Sequence, residues 1–238
     1  MSTLRVTLLL ALATACGGPS QPTTPQHRLV GEPSEDDEDA QPFVLGEATL
    51  PPLPVTVHSS DEVVSAALGR AREATIPERP PLADDATQEE TDRYMREDFQ
   101  AWLVERARAI GAARSALGAM EHGEADEYVL ASALVGTLFA MLAREVQEMP
   151  LPRVITEDRT RRILVREALL ETAAPLYRRA LDAFGACASM AAGAADPTLD
   201  AWATYCTDAT DRAEQAPHPV EEHASTPAEP TAEGTTSP

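Results

Sequence analysis

The chain has 238 residues, of which 19 are basic and 39 acidic, for a net charge of −20. Every basic residue is arginine, and a field this acidic repels phosphate polymers, so nucleic acid is excluded as an expected partner. Both ends are rich in Pro, Thr, Ser and acid, whereas residues 61–216 are dominated by Ala, Leu, Val and Arg, enough for one hydrophobic core and too little for two large ones.

Residues 1–15 carry one positive charge, Arg5, followed by an apolar run over residues 6–13 that is too short to remain as a membrane-spanning helix. Ala13, Thr14 and Ala15 lead into Cys16, with Gly17, Gly18 and Pro19 behind it. This stretch resembles the signal peptide and lipobox of bacterial lipoproteins, whose precursors are cut just before a lipid-modified cysteine. The resemblance implies removal of residues 1–15, a lipid on Cys16 as membrane anchor and a place in the cell envelope. Gly17, with no Asp after the cysteine, is what that family's sorting rule in enteric bacteria associates with the outer membrane. Leu12 falls one position ahead of the family's preferred place, and the alternative is an ordinary secretory signal that leaves Cys16 a free thiol.

Residues 16–60 read as a disordered tether. They hold the acidic run Glu35-Asp36-Asp37-Glu38-Asp39 and the segment Leu50-Pro51-Pro52-Leu53-Pro54, in which no core is expected. Phe43-Val44-Leu45 and Val55-Thr56-Val57 are short apolar patches able to dock on the domain as extended pieces. The acidic run lacks the glycine and the bidentate glutamate spacing of a calcium loop.

From there the signals are helical. Ser59 with Glu62 reads as a capping box opening a short helix with Val63, Val64, Ala67, Leu68 and Ala71 on its apolar side, ending before Pro77. A second box, Thr87 with Glu90, opens a longer helix with the stripe Met95, Phe99, Trp102, Ile110, Ala113, Leu117 and Met120, running to about His122. Residues 128–143 contain no charge, and a helix apolar all round is a buried one; sixteen residues rise only about 24 Å, so the centre of a bundle is expected rather than a membrane span.

Thr156 is the expected N-cap of a long helix through about Ala192, with a seam of heptad-like spacing through Ile163, Glu167, Leu170, Ala174, Tyr177, Leu181, Phe184, Ala188 and Ala191. Pro175 inside it is expected to kink or split it. Asp196 and Pro197 start a last helix whose inner face is Leu199, Trp202, Cys206, Ala209, Ala213 and Ala216. Those two helices form a hairpin that brings Cys187 and Cys206 near each other. With Cys16 taken by the lipobox, they are an even pair in an exported chain, and a disulfide is expected. Residues 217–238 read as a disordered tail.

The fold class is therefore all-α, an antiparallel helical bundle or hairpin array of four to five helices. The hairpin is similar in architecture to tetratricopeptide-type repeats, with Ala180, Phe184 and Ala188 matching the second helix of such a repeat and no counterpart for its first.

Motifs of catalysis are missing: there is no His-Glu-x-x-His, no glycine-rich phosphate loop and no Gly-x-Ser-x-Gly elbow. His27, His58, His218 and His223 fall in the segments expected to be disordered, and His122 stands alone in a turn. Arg106 and Glu167 interrupt apolar stripes and are expected to snorkel or to pair with each other. Arg153, Arg159, Arg161, Arg162 and Arg166 form a local positive concentration, explained largely by pairing of Glu157 with Arg161 and Asp158 with Arg162. No catalytic residue, metal or cofactor is assigned. The expectation is an envelope-anchored lipoprotein whose helical domain binds an envelope protein. The alternative is a ligand- or metal-carrying bundle with a pocket around Trp102, Met120, Met141 and Trp202.

Overall fold

The computed structural model describes residues 41–54, 57, 61–194 and 196–217. The expected signal peptide, Cys16, the first part of the expected tether, Val55, Thr56, Ser59 and the expected tail from residue 218 lie outside the described residues.

The first element among the described residues is a β-hairpin, which corrects the assignment of the whole of residues 16–60 to a coreless linker. Strand β1 (Phe43–Leu45) pairs antiparallel with β2 (Ala48–Leu50) in the register Phe43↔Leu50, Val44↔Thr49, Leu45↔Ala48. The two-residue loop starts at Gly46, whose φ of +58° favours glycine. Alternation then sends Phe43, Leu45 and Leu50 into the core and leaves Val44 and Thr49 outside. The Arg72 guanidinium covers the Phe43 ring at 4.9 Å, and the Trp202 indole N–H donates to the Pro52 carbonyl at 3.0 Å. Prolines flank the hairpin on both sides, and three alternating apolar side chains suffice to seat it.

Helix α1 (Glu62–Glu73) is capped by Asp61, which accepts from the Val63 N–H at 2.8 Å. It buries Val64, Ala67, Leu68 and Ala71 as expected, while Val63 is turned outward. The Thr87–Glu90 capping box is formed in full at α2 (Gln88–Arg96). The Thr87 backbone N–H and hydroxyl on the Glu90 carboxylate hold that carboxyl below its usual range.

The single helix expected from Thr87 onward is two. The backbone at Glu97 departs from helix geometry (φ −111°, ψ −69°) before α3 (Asp98–Leu117) begins. Breaking there lets Tyr94 reach the Pro80 carbonyl (2.8 Å) and Trp102 reach that of Pro77 (3.0 Å), so the proline linker lies along both helices. A 3-10 turn, Met120–His122, leads to α4 (Ala125–Gln147).

Helix α4 is the axis of the domain, with every residue from Val129 through Phe139 buried. It is long and apolar enough to cross a membrane, yet 83% of its most apolar window is covered by the rest of the fold, as a bundle core requires. Its main partner is α6 (Arg159–Gly193), which in turn packs on α7 (Asp200–Glu214). At the crossing, Gly136 leaves room for the Phe184 ring.

Three expectations about the long helix are corrected. Its N-cap is Asp158, which accepts from the N–H groups of Thr160 and Arg161, while Thr156 ends a separate short helix, α5 (Arg153–Thr156). The helix runs unbroken through Pro175. Its buried residues are Leu169, Ala173, Leu176, Tyr177, Ala180, Phe184, Cys187 and Ala191; with Tyr177 set beside Leu176 they make six steps in 22 residues, or about 3.7 per turn instead of the heptad's 3.5. The expected seam therefore agrees at Tyr177, Phe184 and Ala191 and drifts off towards the N-terminus, where Ile163 and Glu167 are exposed. Asp196 caps a 3-10 turn, Pro197–Leu199, that leads into α7. Counting α2 with α3, and α5 with α6, the domain is an all-α bundle of five rods with a β-hairpin strapped across it.

Candidate functional site

Each polar or reactive group among the described residues is placed by what it touches. The Sγ atoms of Cys187 and Cys206 stand 2.00 Å apart as a disulfide, with Cα atoms 6.1 Å apart and both residues fully buried. The bridge ties α6 to α7 behind an aromatic cluster in which Tyr205 stacks edge-on against Phe184 and Trp202. The Tyr205 hydroxyl shares a hydrogen bond with Thr137 on α4 at 2.9 Å, and burial pushes its pKa up. A buried disulfide so placed acts structurally.

Arg106 is the largest polar side chain in the core, 1% exposed. Its partner is Glu145 on α4 rather than Glu167: Nη2 donates to one carboxylate oxygen at 2.8 Å and Nε to the other at 3.4 Å, while Nη1 is buried with no partner. Glu145 also holds the proline linker, since its carbonyl accepts from Arg79 at 2.7 Å. Glu167 lies on the solvent side of α6 and has no part in the pair. Nothing in the spacing of charges along the chain singled out Glu145, because the choice of partner is made by the α3–α4 crossing.

A second polar group escaped the sequence reading. Asp126, in the first turn of α4, is 6% exposed; its Oδ1 accepts from the Glu127 N–H at 2.9 Å, and its Oδ2 is buried without a partner. Burial, and then the charges of Glu124 and Asp196, push its pKa up against backbone N–H groups that pull it down. Neighbouring Glu127 is raised too, by burial first and then by Asp126, Asp61 and Glu124.

The arginine concentration around α6 is mostly tied internally, though not by the i,i+4 pairs expected. Asp158 takes Arg161 as its ion-pair partner at 3.4 Å, and Arg161 also donates to Gln88. Arg162 donates to the Thr156 carbonyl, Arg166 to those of Gln147 and Met149, and Arg153 pairs with Asp84. His122 is exposed at its turn.

Trp102, Met120, Met141 and Trp202, the residues of the alternative ligand pocket, are all buried but serve different seams. The two indoles hold Pro77 and Pro52, and the Met141 methyl packs on Gly46. A shallow depression of about 350 Å³ lies elsewhere, between the proline linker and α2, lined by Leu82, Asp85, Glu90, Arg93, Tyr94 and Asp98. The Tyr94 hydroxyl there is already committed to Pro80. Among the described residues no group of three or more His, Cys, Asp or Glu side chains is placed to hold a metal ion.

In comparisons with known proteins, the chain matches no family model, no curated protein and no solved structure.

Proposed function

We propose that this chain is a lipoprotein of a bacterial envelope, anchored through lipid on Cys16, whose helical body is a non-enzymatic module that binds an envelope protein. The outer membrane is the membrane suggested by Gly17. The observation that carries the reading is the buried Cys187–Cys206 bridge. Such a bond forms and persists in the oxidising compartments outside the cytoplasm, which is where a chain with this N-terminus would be delivered.

The reading is supported by four buried polar groups that serve internal seams and not a pocket: both indole N–H groups, the Arg106 guanidinium and the Tyr205 hydroxyl face other parts of the fold. With the hairpin counted as domain, 24 residues separate Cys16 from Gln41. Fully extended, they reach at most about 90 Å, which limits how far from the bilayer a partner can be met.

The test is palmitate labelling of the full chain expressed in a bacterial host. Label on the wild type that is lost in Cys16→Ala is expected; an unlabelled wild type, or undiminished label on the variant, overturns the anchor. Crosslinking in intact cells then addresses the module. A defined protein adduct is expected, whereas protein purified from its own envelope carrying a bound chromophore or metal, and no adduct, favours the ligand-carrying bundle instead.

A further inference from the structure

The N-terminal end of α4 collects negative charge from three elements. Glu124, Asp126 and Glu127 open α4, Asp196 caps the 3-10 turn ahead of α7, and Asp61 caps α1. Glu124 and Asp196 act on Asp126, and Asp61, Glu124 and Asp126 act on Glu127; all of these charges are negative. On the 3-10 turn packed before α4, Glu121 and His122 are exposed. The Glu127 carboxylate lies where a β-carbon on residue 123 would stand, so Gly123 is what admits it.

Within this acidic seam Asp126 is the member taken out of water, and Oδ2 has neither a donor nor solvent. A carboxylate in that position is satisfied far better as the neutral acid, which carries no charge to desolvate and feels no repulsion. Only the helix N-terminus, through the Glu127 N–H and the dipole behind it, favours the anion.

We propose that the first turn of α4 is an acid-strengthened latch, in which proton binding at Asp126 relieves the cost of its buried, unpartnered Oδ2 and so holds that turn in the fold. Because the folded state binds this proton more strongly than the unfolded chain, the stabilisation is complete below the ordinary carboxylate range and is lost as pH rises through the folded-state value. An envelope domain built this way is firmer in acid than in neutral medium at this end of the bundle.

Two measurements on the full chain test it. The Asp126 side-chain carboxyl carbon, followed by NMR in the wild type, should titrate above the ordinary aspartate range of about 4. Thermal unfolding of Asp126→Asn should exceed wild type by about 2–4 °C near neutral pH, and the difference should vanish on acidification. An ordinary titration of Asp126 overturns the latch whatever the variant does. So does a difference between Asp126→Asn and wild type that is independent of pH.

Discussion

Replacing Glu145 with alanine should cost the domain about 3 kcal/mol, while replacing its buried partner Arg106 with methionine should cost less than about 1 kcal/mol. The asymmetry follows from exposure: Arg106 is 1% and Glu145 31% exposed at the side chain, with 2.8 Å between Nη2 and Oε1. Without the carboxylate, a guanidinium whose Nη1 already lacks a partner is left charged in the core. Breaking a buried pair in this way costs about 3–5 kcal/mol, and the low end applies because water reaches Glu145 and can partly follow. Methionine removes both the charge and the unpartnered N–H while keeping an unbranched apolar chain, and the freed carboxylate can turn to solvent. At about 2–4 °C per kcal/mol for a domain of this size, Glu145→Ala should melt about 6–12 °C lower. Equilibrium unfolding in guanidinium, followed by far-UV circular dichroism, measures both variants, and the double variant should resemble Arg106→Met. If Arg106→Met proves as damaging as Glu145→Ala, the pair is a net source of stability and the reasoning fails.

Removing the bridge with Cys187→Ala and Cys206→Ala frees a loop of sequence separation 19 and should lower stability by about 3 kcal/mol, read from the same denaturation curves. A β-carbon at Gly136 would stand 2.6 Å from Phe184 Cδ1, whereas one at Gly185 meets nothing within 4 Å. Gly136→Ala should therefore destabilise by about 1–3 kcal/mol, and Gly185→Ala should stabilise by about 0.5–1 kcal/mol, as differential scanning calorimetry would register. Trp202→Phe deletes the donor to Pro52 and should cost about 1 kcal/mol. Hydrogen exchange should speed up across β1 and β2 well before it does in α4.

Much of the bundle was legible because its signals are local. Thr87 and Glu90 announce a helix start by chemistry confined to four residues, and the buried identity of α4 follows from a run without charge. The cysteines could be matched because a short turn fixes the register of a helical hairpin. Elements set by tertiary contacts were harder to read. No glycine or proline marks the break at Glu97, which is held by Tyr94 and Trp102 gripping the proline linker. The hairpin at Phe43–Leu45 and Ala48–Leu50 does alternate, but each strand has three residues, too few to stand out among neighbouring prolines. The seam of α6 went astray through a difference of about 0.2 residue per turn, negligible near Phe184 and decisive three turns earlier. Asp126 was unreadable for another reason: an acid in a first helical turn is ordinary, and only the packing of its neighbours withholds water from it.

The hairpin also determines how the domain would take mechanical load. A pull on the chain from its N-terminal side arrives at Gln41, just ahead of β1, while the body holds the far end of β2 through Pro52 and Trp202. Phe43 and Leu50 are partners at the open end of the ladder, so the two strands are drawn apart end first and the pairs yield one after another, Phe43–Leu50, then Val44–Thr49, then Leu45–Ala48. Release of the eight residues 43–50 adds up to about 28 Å of slack without straining the helices behind them or the covalent bridge between α6 and α7. If Cys16 carries the lipid proposed above, the strap would act as a shock absorber between that anchor and the body.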